Sequence, residues 1–290
     1  MLPRDAILEI RRRMQALSAV FRLPFRSQSW RGLSGQWQGM NSGSSIDFLD
    51  HRPYYPGDDP RHINWQAYAR TGHHTMKLYR EETSPRADII LDASHSMFLT
   101  PQKSRRMMEL FFLCFEGALQ AKAAVHVILV AGDRIERVAL EAVLNGSFLK
   151  SGPSPSAQSL ANLHALVRGH SLRLLISDLL FPISPAAILP GLTQSRGRVC
   201  VLAPYGAEEE KPGWEGNLQF QDCESEVTRI QRVDATLLDQ YQRVYRRHFE
   251  LWKSECRRFG ARMARLAAEP AMEEALLAEG VTSGAFELWT

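Results

Sequence analysis

Asp92-Ala93-Ser94-His95-Ser96 places one carboxylate and two hydroxyls within five residues. The string follows a short apolar run, Ala87–Leu91, that reads as a strand, and precedes Lys103–Lys122, a helical pattern rich in Met, Leu and Phe. In a parallel sheet that junction is the carboxyl end of a strand, where open α/β folds bind their ligands. Hard oxygens on one tight turn suit Mg²⁺ or Mn²⁺, cations that keep several waters in an octahedral shell. A second acid, Asp178, comes just after the strand Leu172–Ile176 and reaches the same edge, where it would hold a metal-bound water. The competing reading is structural: Ser94 or Ser96 caps the next helix and backbone amides hold Asp92. His95 is expected to face solvent, because imidazole is a poor ligand for Mg²⁺.

Hydrolytic chemistry finds less support. A metal-dependent phosphatase of the haloacid-dehalogenase type carries D-x-D at such a turn, and here Ser94 stands where the general acid/base would be. The sequence places no lysine beside Asp178, and neither G-x-S-x-G nor a glycine-rich phosphate loop occurs. The expectation is a non-enzymatic interaction module, with a metal-dependent hydrolase as the alternative.

The elements that must position these residues alternate. Val125–Val130 reads as a strand, Gly132–Asp133 as a turn and Ile135–Leu140 as its hairpin partner. Leu160–Val167 is helical, Ser184–Gln194 is a helix opened by Pro185, and Arg198–Leu202 is a strand ending before Pro204. This order predicts an α/β fold with a mostly parallel sheet covered on both faces and one antiparallel edge strand. Residues 206–216 read as loop, Leu218–Asp222 and Val227–Val233 as a second hairpin, and Ala235–Phe259 as a long helix. Arg262–Ala268 and Ala271–Ala278 read as a last strand and helix.

At the amino end Ile7, Ile10, Met14, Leu17 and Phe21 recur at helical spacing. The stripe is expected to pack on the chain's own body; the sharper alternative is a partner or membrane-surface helix helped by Arg11, Arg12 and Arg13. Residues 1–86 hold 13 Lys/Arg against 8 Asp/Glu, whereas the remaining 204 hold 22 against 24. That shift suggests three parts: a basic, tryptophan-bearing subdomain over 1–86, an α/β domain over 87–205, and a hairpin–helix extension over 206–290 packed on the same core. The basic part also admits a nucleic-acid reading, yet its Arg70, Lys77, Arg80 and Arg86 are interleaved with acids and no nucleic-acid motif appears.

Over all 290 residues, 44% are hydrophobic and 23% charged, with a net charge of +3, which fits a globular chain, excludes a disordered tail and is too balanced to argue nucleic-acid binding by itself. The four cysteines form no C-x-x-C pair, so a zinc ribbon and a disulfide framework are excluded and a cytoplasmic location is expected. No run is long and apolar enough for a membrane span, and the amino end does not read as a secretory signal.

A longer pattern surrounds the Asp-bearing strand. Ile46-Asp47-Phe48, the run from Arg52-Pro53-Tyr54-Tyr55-Pro56-Gly57-Asp58-Asp59-Pro60-Arg61 through His62-Ile63-Asn64-Trp65, Ala69-Arg70 and Glu81-Glu82 resemble the signature of the bacterial domain-of-unknown-function family fifty-eight. D-x-S-x-S with a later strand-end Asp is similar to the metal-ion-dependent adhesion site of von Willebrand factor type A domains. The resemblance implies a type A-like, Rossmann-like fold and a protein partner, a MoxR-type AAA+ ATPase or its complex. It makes Asp92, Ser94 and Ser96 direct ligands of Mg (or Mn) and Asp178 a water-mediated one. The family's second loop usually supplies a Thr ligand; here Ser151–Ser159 contains none, and Ser154 or Ser156 would have to replace it. The signature itself reads first as structure: Asp58 or Asp59 caps a helix opened by Pro60, and Ile63 and Trp65 pack inward. The functional alternative is a docking surface of Arg52, Tyr54, Asp58, Asp59 and Arg61.

Overall fold

The computed structural model describes residues 3–25, 48–55, 58–79, 85–225 and 227–289. In chain order the first elements are α1 (Arg4–Leu17), β1 (Phe21–Arg22), β2 (Phe48–Pro53), α2 (Trp65–Thr71), β3 (Thr75–Tyr79) and β4 (Arg86–Asp92). Next come α3 (Pro101–Gln120), β5 (Ala124–Ala131), β6 (Arg134–Val138), α4 (Leu140–Leu144), α5 (Ala157–Asn162), β7 (Leu172–Ile176), α6 (Pro185–Thr193) and β8 (Arg198–Tyr205). The chain finishes with α7 (Ala207–Glu210), β9 (Gly216–Gln221), β10 (Thr228–Val233), α8 (Ala235–Arg258), β11 (Arg262–Ala267), α9 (Met272–Ala275) and β12 (Glu287–Leu288).

Two compact units result: Met1–Trp30 with Pro85–Thr290, and Arg31–Ser84. α1 and the stretch from residue 206 onward belong to the same unit as the sheet. The reason is the apolar stripe. Ile7, Ile10 and Met14 are buried against Met107, Phe111 and Phe115 of α3 in one cluster. Arg11 is not free for a partner: its Nε lies 2.6 Å from Glu116, while Arg13 reaches Glu273 at 2.9 Å. Phe21 leaves the helix and enters β1, which pairs with β12 through Phe21 and Leu288.

The central sheet has six strands in the order β11-β8-β7-β4-β5-β6. All neighbours are parallel except β5 and β6, which form the antiparallel edge hairpin. The fold is therefore mixed α/β, as the alternation of patterns predicts. Side chains of β4 alternate between its two faces: Ile89 and Leu91 join the α1–α3 side, whereas Ile90 joins Ile188, Leu189, Phe249 and Trp252 of α6 and α8. α3 is buried around most of its circumference because it lies between the sheet and α1.

One strand and one helix have bounds that differ from their patterns. β8 continues through Pro204 to Tyr205, since β11 at its side pairs with it as far as Ala267 opposite Tyr205. The Leu160–Val167 helix begins at Ala157, where the Ser156 hydroxyl caps it by accepting from Ser159 N at 3.1 Å, and tightens to a 3₁₀ turn at Leu163–Ala165.

The Arg31–Ser84 unit pairs β2 with β3 antiparallel and carries α2 between them. Here the signature's structural reading holds in part. Asp59 caps the 3₁₀ turn Pro60–His62, accepting from Arg61 N at 3.0 Å, and Ile63 is buried. Trp65 does not pack inward: it is 58% exposed, because Asn64 caps α2 at this point and the first helical residue turns outward. Its ring stands edge-on to Tyr68 and His74 instead. Arg52 grips Asp58 through two bonds of 2.6 and 2.7 Å, and this pair holds the Asp58 carboxyl down at about 2. Ile46, Asp47, Glu81 and Glu82 lie outside the described residues, as do Pro56, Gly57 and Arg80.

Candidate metal centre at the carboxyl edge of the sheet

Parallel pairing of β4 with β7, Leu91 opposite Ile176, brings Asp92, Ser177 and Asp178 out at adjacent strand ends. Asp92 and Asp178 are each 2% exposed and Ser94 is 1% exposed. Asp92 Oδ1 accepts from Ser94 N at 2.9 Å and Oδ2 accepts from the Ser177 hydroxyl at 2.7 Å. The Ser94 and Ser96 hydroxyl oxygens are 3.0 Å apart. The structure thus brings the four predicted residues to one sheet edge.

The capping explanation for the serines does not hold. Ser94 stands at the start of the 3₁₀ turn His95–Phe98 without a side-chain cap bond, and α3 is capped instead by Thr100, which accepts from Lys103 N at 3.2 Å. His95 is exposed, as expected, with Nδ1 3.9 Å from Glu224 Oε2. In the second loop Gly152 pairs with Ser94, and Gly152 N donates to Ala93 O at 2.9 Å. That contact puts Ser154 beside the motif, whereas the Ser156 hydroxyl is spent on α5. Gly132 anchors the loop by donating to Pro153 O at 2.7 Å. It needs to be glycine twice over: its φ is +56°, and a Cβ would stand 2.9 Å from Pro153 Cγ.

A lysine does lie at Asp178, contrary to the sequence expectation. Lys103, in the first turn of α3, puts Nζ 2.8 Å from Asp178 Oδ2 and 2.7 Å from Glu209 Oε1 of α7. Its side chain is 1% exposed. Burial alone would lower its pKa, but Asp178 and Glu209 outweigh that and hold it above the usual lysine value. A buried lysine at a helix amino terminus opposes the helix dipole, so it needs acidic partners. Nothing local in the sequence marks Lys103 as buried, and Glu208-Glu209-Glu210 lies more than a hundred residues on. Glu224 was likewise missed. It sits in the turn between β9 and β10, and its carboxylate accepts from Ser96 N at 3.1 Å and Ser154 N at 2.7 Å.

Acidic side chains outnumber basic ones around the motif. Asp92, Asp178 and Glu209 set three carboxylates against the one Lys103 ammonium. Burial, then the neighbouring Asp178 charge, pushes the Asp92 carboxyl up to about 7. Mg²⁺ holds oxygens at about 2.1 Å in an octahedron, which sets adjacent ligand oxygens about 3.0 Å apart. The Ser94 and Ser96 hydroxyls, hydrogen-bonded to one another at 3.0 Å, stand at that same spacing. Among the described residues no group of three or more His, Cys, Asp or Glu is arranged for a metal, so a cation here would depend on the serine hydroxyls. The donor set Asp92, Ser94 and Ser96 fits a hard cation; Asp178, already paired with Lys103, is suited to holding a bound water and not to direct ligation.

Just after Asp178 the backbone takes a left-handed conformation. Leu179 is buried with a left-handed φ of +62°, and Asp178 Oδ1 accepts from Leu180 N at 3.1 Å. A bulky residue rarely adopts this conformation, and such strain is commonly stored at ligand sites.

All four cysteines are free thiols, and among the described residues no helix is long and apolar enough to cross a membrane. No curated protein matches the chain. Two solved structures align with 69% of it and 98% of their own length: BatB, a conserved hypothetical protein from Bacteroides thetaiotaomicron, at 14% identity and a TM-score of 0.34, and an aerotolerance-related membrane protein from Bacteroides fragilis carrying multiple mutations to serines, at 17% identity and a TM-score of 0.37. The family described as "Protein of unknown function DUF58" matches residues 50–250, and the chain belongs to that family.

Proposed function

We propose that this protein is a non-enzymatic, Mg²⁺-dependent protein-interaction module of the von Willebrand factor type A kind. In this reading Asp92, Ser94 and Ser96 hold the cation directly (Mn²⁺ being the alternative) and Asp178 holds one of its waters. A carboxylate from a protein partner completes the shell. The resemblance in the signature residues makes a MoxR-type AAA+ ATPase, or the complex it remodels, the partner of choice, and a cytoplasmic location goes with it. The observation that supports the reading is the pair of hydroxyls, Ser94 and Ser96, hydrogen-bonded to one another at 3.0 Å beside the buried Asp92, whose pKa burial and Asp178 raise to about 7. What the cation supplies is a charge that a partner's acid can bind. The chain's own residues orient it: Ser177 and Ser94 N fix the Asp92 carboxylate, and Lys103 fixes Asp178.

The experiment is capture of the MoxR-type ATPase in Mg²⁺ and in EDTA, with wild type and with Asp92→Ala. Binding lost in both EDTA and the variant supports the reading; binding unchanged in all arms overturns it.

Lys103 favours one second reading. An ammonium beside Asp178 removes one objection to a metal-dependent hydrolase, although Ser94 still stands where a second acid would act. Mg²⁺-dependent turnover of p-nitrophenyl phosphate that Asp92→Ala abolishes would favour that reading. The nucleic-acid alternative gains nothing comparable, since Arg52 and Arg61 are paired with Asp58 and Asp59.

A further inference from the structure

The arm formed by β9 and β10 stands apart from the six-stranded sheet. Every residue of β10 except Val233 is exposed, Ile230 to 79%. A two-stranded ribbon of this kind is marginally stable by itself. It is tied down at two places. One pair before the turn Phe220 packs on Trp214 at 5.2 Å, and Trp214 lies 6.1 Å from Tyr241 of α8. At its tip Glu224 spans two loops, Oε1 on Ser96 N at 3.1 Å and Oε2 on Ser154 N at 2.7 Å. The tip is shaped for this: Asp222 accepts from Glu224 N at 3.0 Å and from the Ser225 hydroxyl.

Both oxygens of the Glu224 carboxylate are thus engaged by backbone amides, one from the D-x-S-x-S turn and one from the loop that pairs with it. Two amides converging from separate loops make a seat for a carboxylate. We propose that this seat receives an acidic side chain of the protein partner, and that Glu224 fills it from within, so that the β9–β10 arm is a latch the partner must displace. The inference rests on the proposed partner-binding role of the motif loop and adds its regulation. A single pair of charge-assisted bonds on a largely exposed ribbon is strong enough to fill the seat and weak enough to be exchanged for a second carboxylate.

The test uses acetate as the carboxylate and the Ser96 and Ser154 amide resonances as the readout, with NaCl at equal ionic strength as the control. Wild type, Glu224→Ala and Glu224→Gln are compared. Acetate is expected to shift both amides in Glu224→Ala at a concentration about tenfold lower than in wild type, because the internal competitor is gone. Glu224→Gln, which keeps the shape without the charge, is expected to lie near Glu224→Ala. Acetate that moves neither amide in the variants, or moves them equally in all three proteins, overturns the latch. Mg²⁺ titrated into Glu224→Ala and read at the Ser94 amide reports separately on the metal reading. A Mg²⁺ response without an acetate response removes the latch and leaves the metal; an acetate response without a Mg²⁺ response supports the seat and removes the metal.

Discussion

The Lys103 ammonium lies 2.8 Å from the Asp178 carboxylate, with the two side chains only 1% and 2% exposed. One bond joins the first turn of α3 to the end of β7, and a second, to Glu209, extends it to α7. The motif turn between β4 and α3 is therefore clamped from the far side, and Asp92 is left with the unbalanced charge of the cluster.

Removing one member of such a pair strands the others. Lys103→Met leaves the buried Asp178 and the half-buried Glu209 without their cation and is expected to cost about 3–5 kcal/mol. Chemical unfolding measures it. The double variant Lys103→Met/Asp178→Asn should recover part of the loss, and a single variant within about 0.5 kcal/mol of wild type, the range of neutral surface changes, would show that the pair does not bear on stability.

The Asp92 carboxyl, raised from 3.8 to about 7, predicts a pH slope. The folded state keeps the proton that the unfolded state gives up, so Asp92's contribution is fully present below pH 3.8. It is lost as pH rises through about 7. In EDTA, wild type should lose more stability than Asp92→Asn between pH 5 and pH 7.5, read from urea midpoints. Parallel pH profiles for the two proteins would contradict this.

In the signature unit, Ile63 and Trp65 should behave oppositely to one another. Ile63 is 8% exposed and Trp65 58%. Ile63→Ala is expected to cost about 2 kcal/mol or more, and Trp65→Ala about 0.5 kcal/mol or less. Thermal melts of the two variants check the order, and a reversed order would mean that Trp65 is the residue packed inward.

Gly132→Ala tests the second loop. The change strains a φ of +56° and drives a Cβ against Pro153 Cγ, so the loop carrying Ser154 must move. A stability loss of about 1 kcal/mol or more is expected. The amide resonances of Ser96 and Ser154 should shift together with it, since Glu224 bridges them; shifts confined to residues next to Gly132 would contradict the coupling.

What the sequence made legible was periodic or local. The alternation of apolar runs with helical stripes predicts β4, β5, β7 and the edge hairpin with β6, and the stripe Ile7–Met14 predicts α1 packed on the body. The D-x-S-x-S string and Asp178 converge because two parallel neighbours both end there, which strand-end reasoning can anticipate. What stayed hidden depends on long-range pairing. Lys103 and Glu209 are 106 residues apart, and Glu224 is 128 residues from Ser96. No spacing rule connects such partners. Trp65 was misplaced for a local reason: a cap at Asn64 resets the helical phase, so the alternation Ile63, Trp65 no longer describes one face.

The central claim is that the Asp92 turn holds a divalent cation through its serine hydroxyls. Calorimetric titration of Mg²⁺ into EDTA-stripped wild type, Asp92→Ala and Ser94→Ala/Ser96→Ala tests it most directly. The account predicts one site in wild type, abolished by Asp92→Ala and weakened by about 10-fold or more when both hydroxyls are removed. Equal Mg²⁺ binding in all three proteins, or none in wild type, would contradict it.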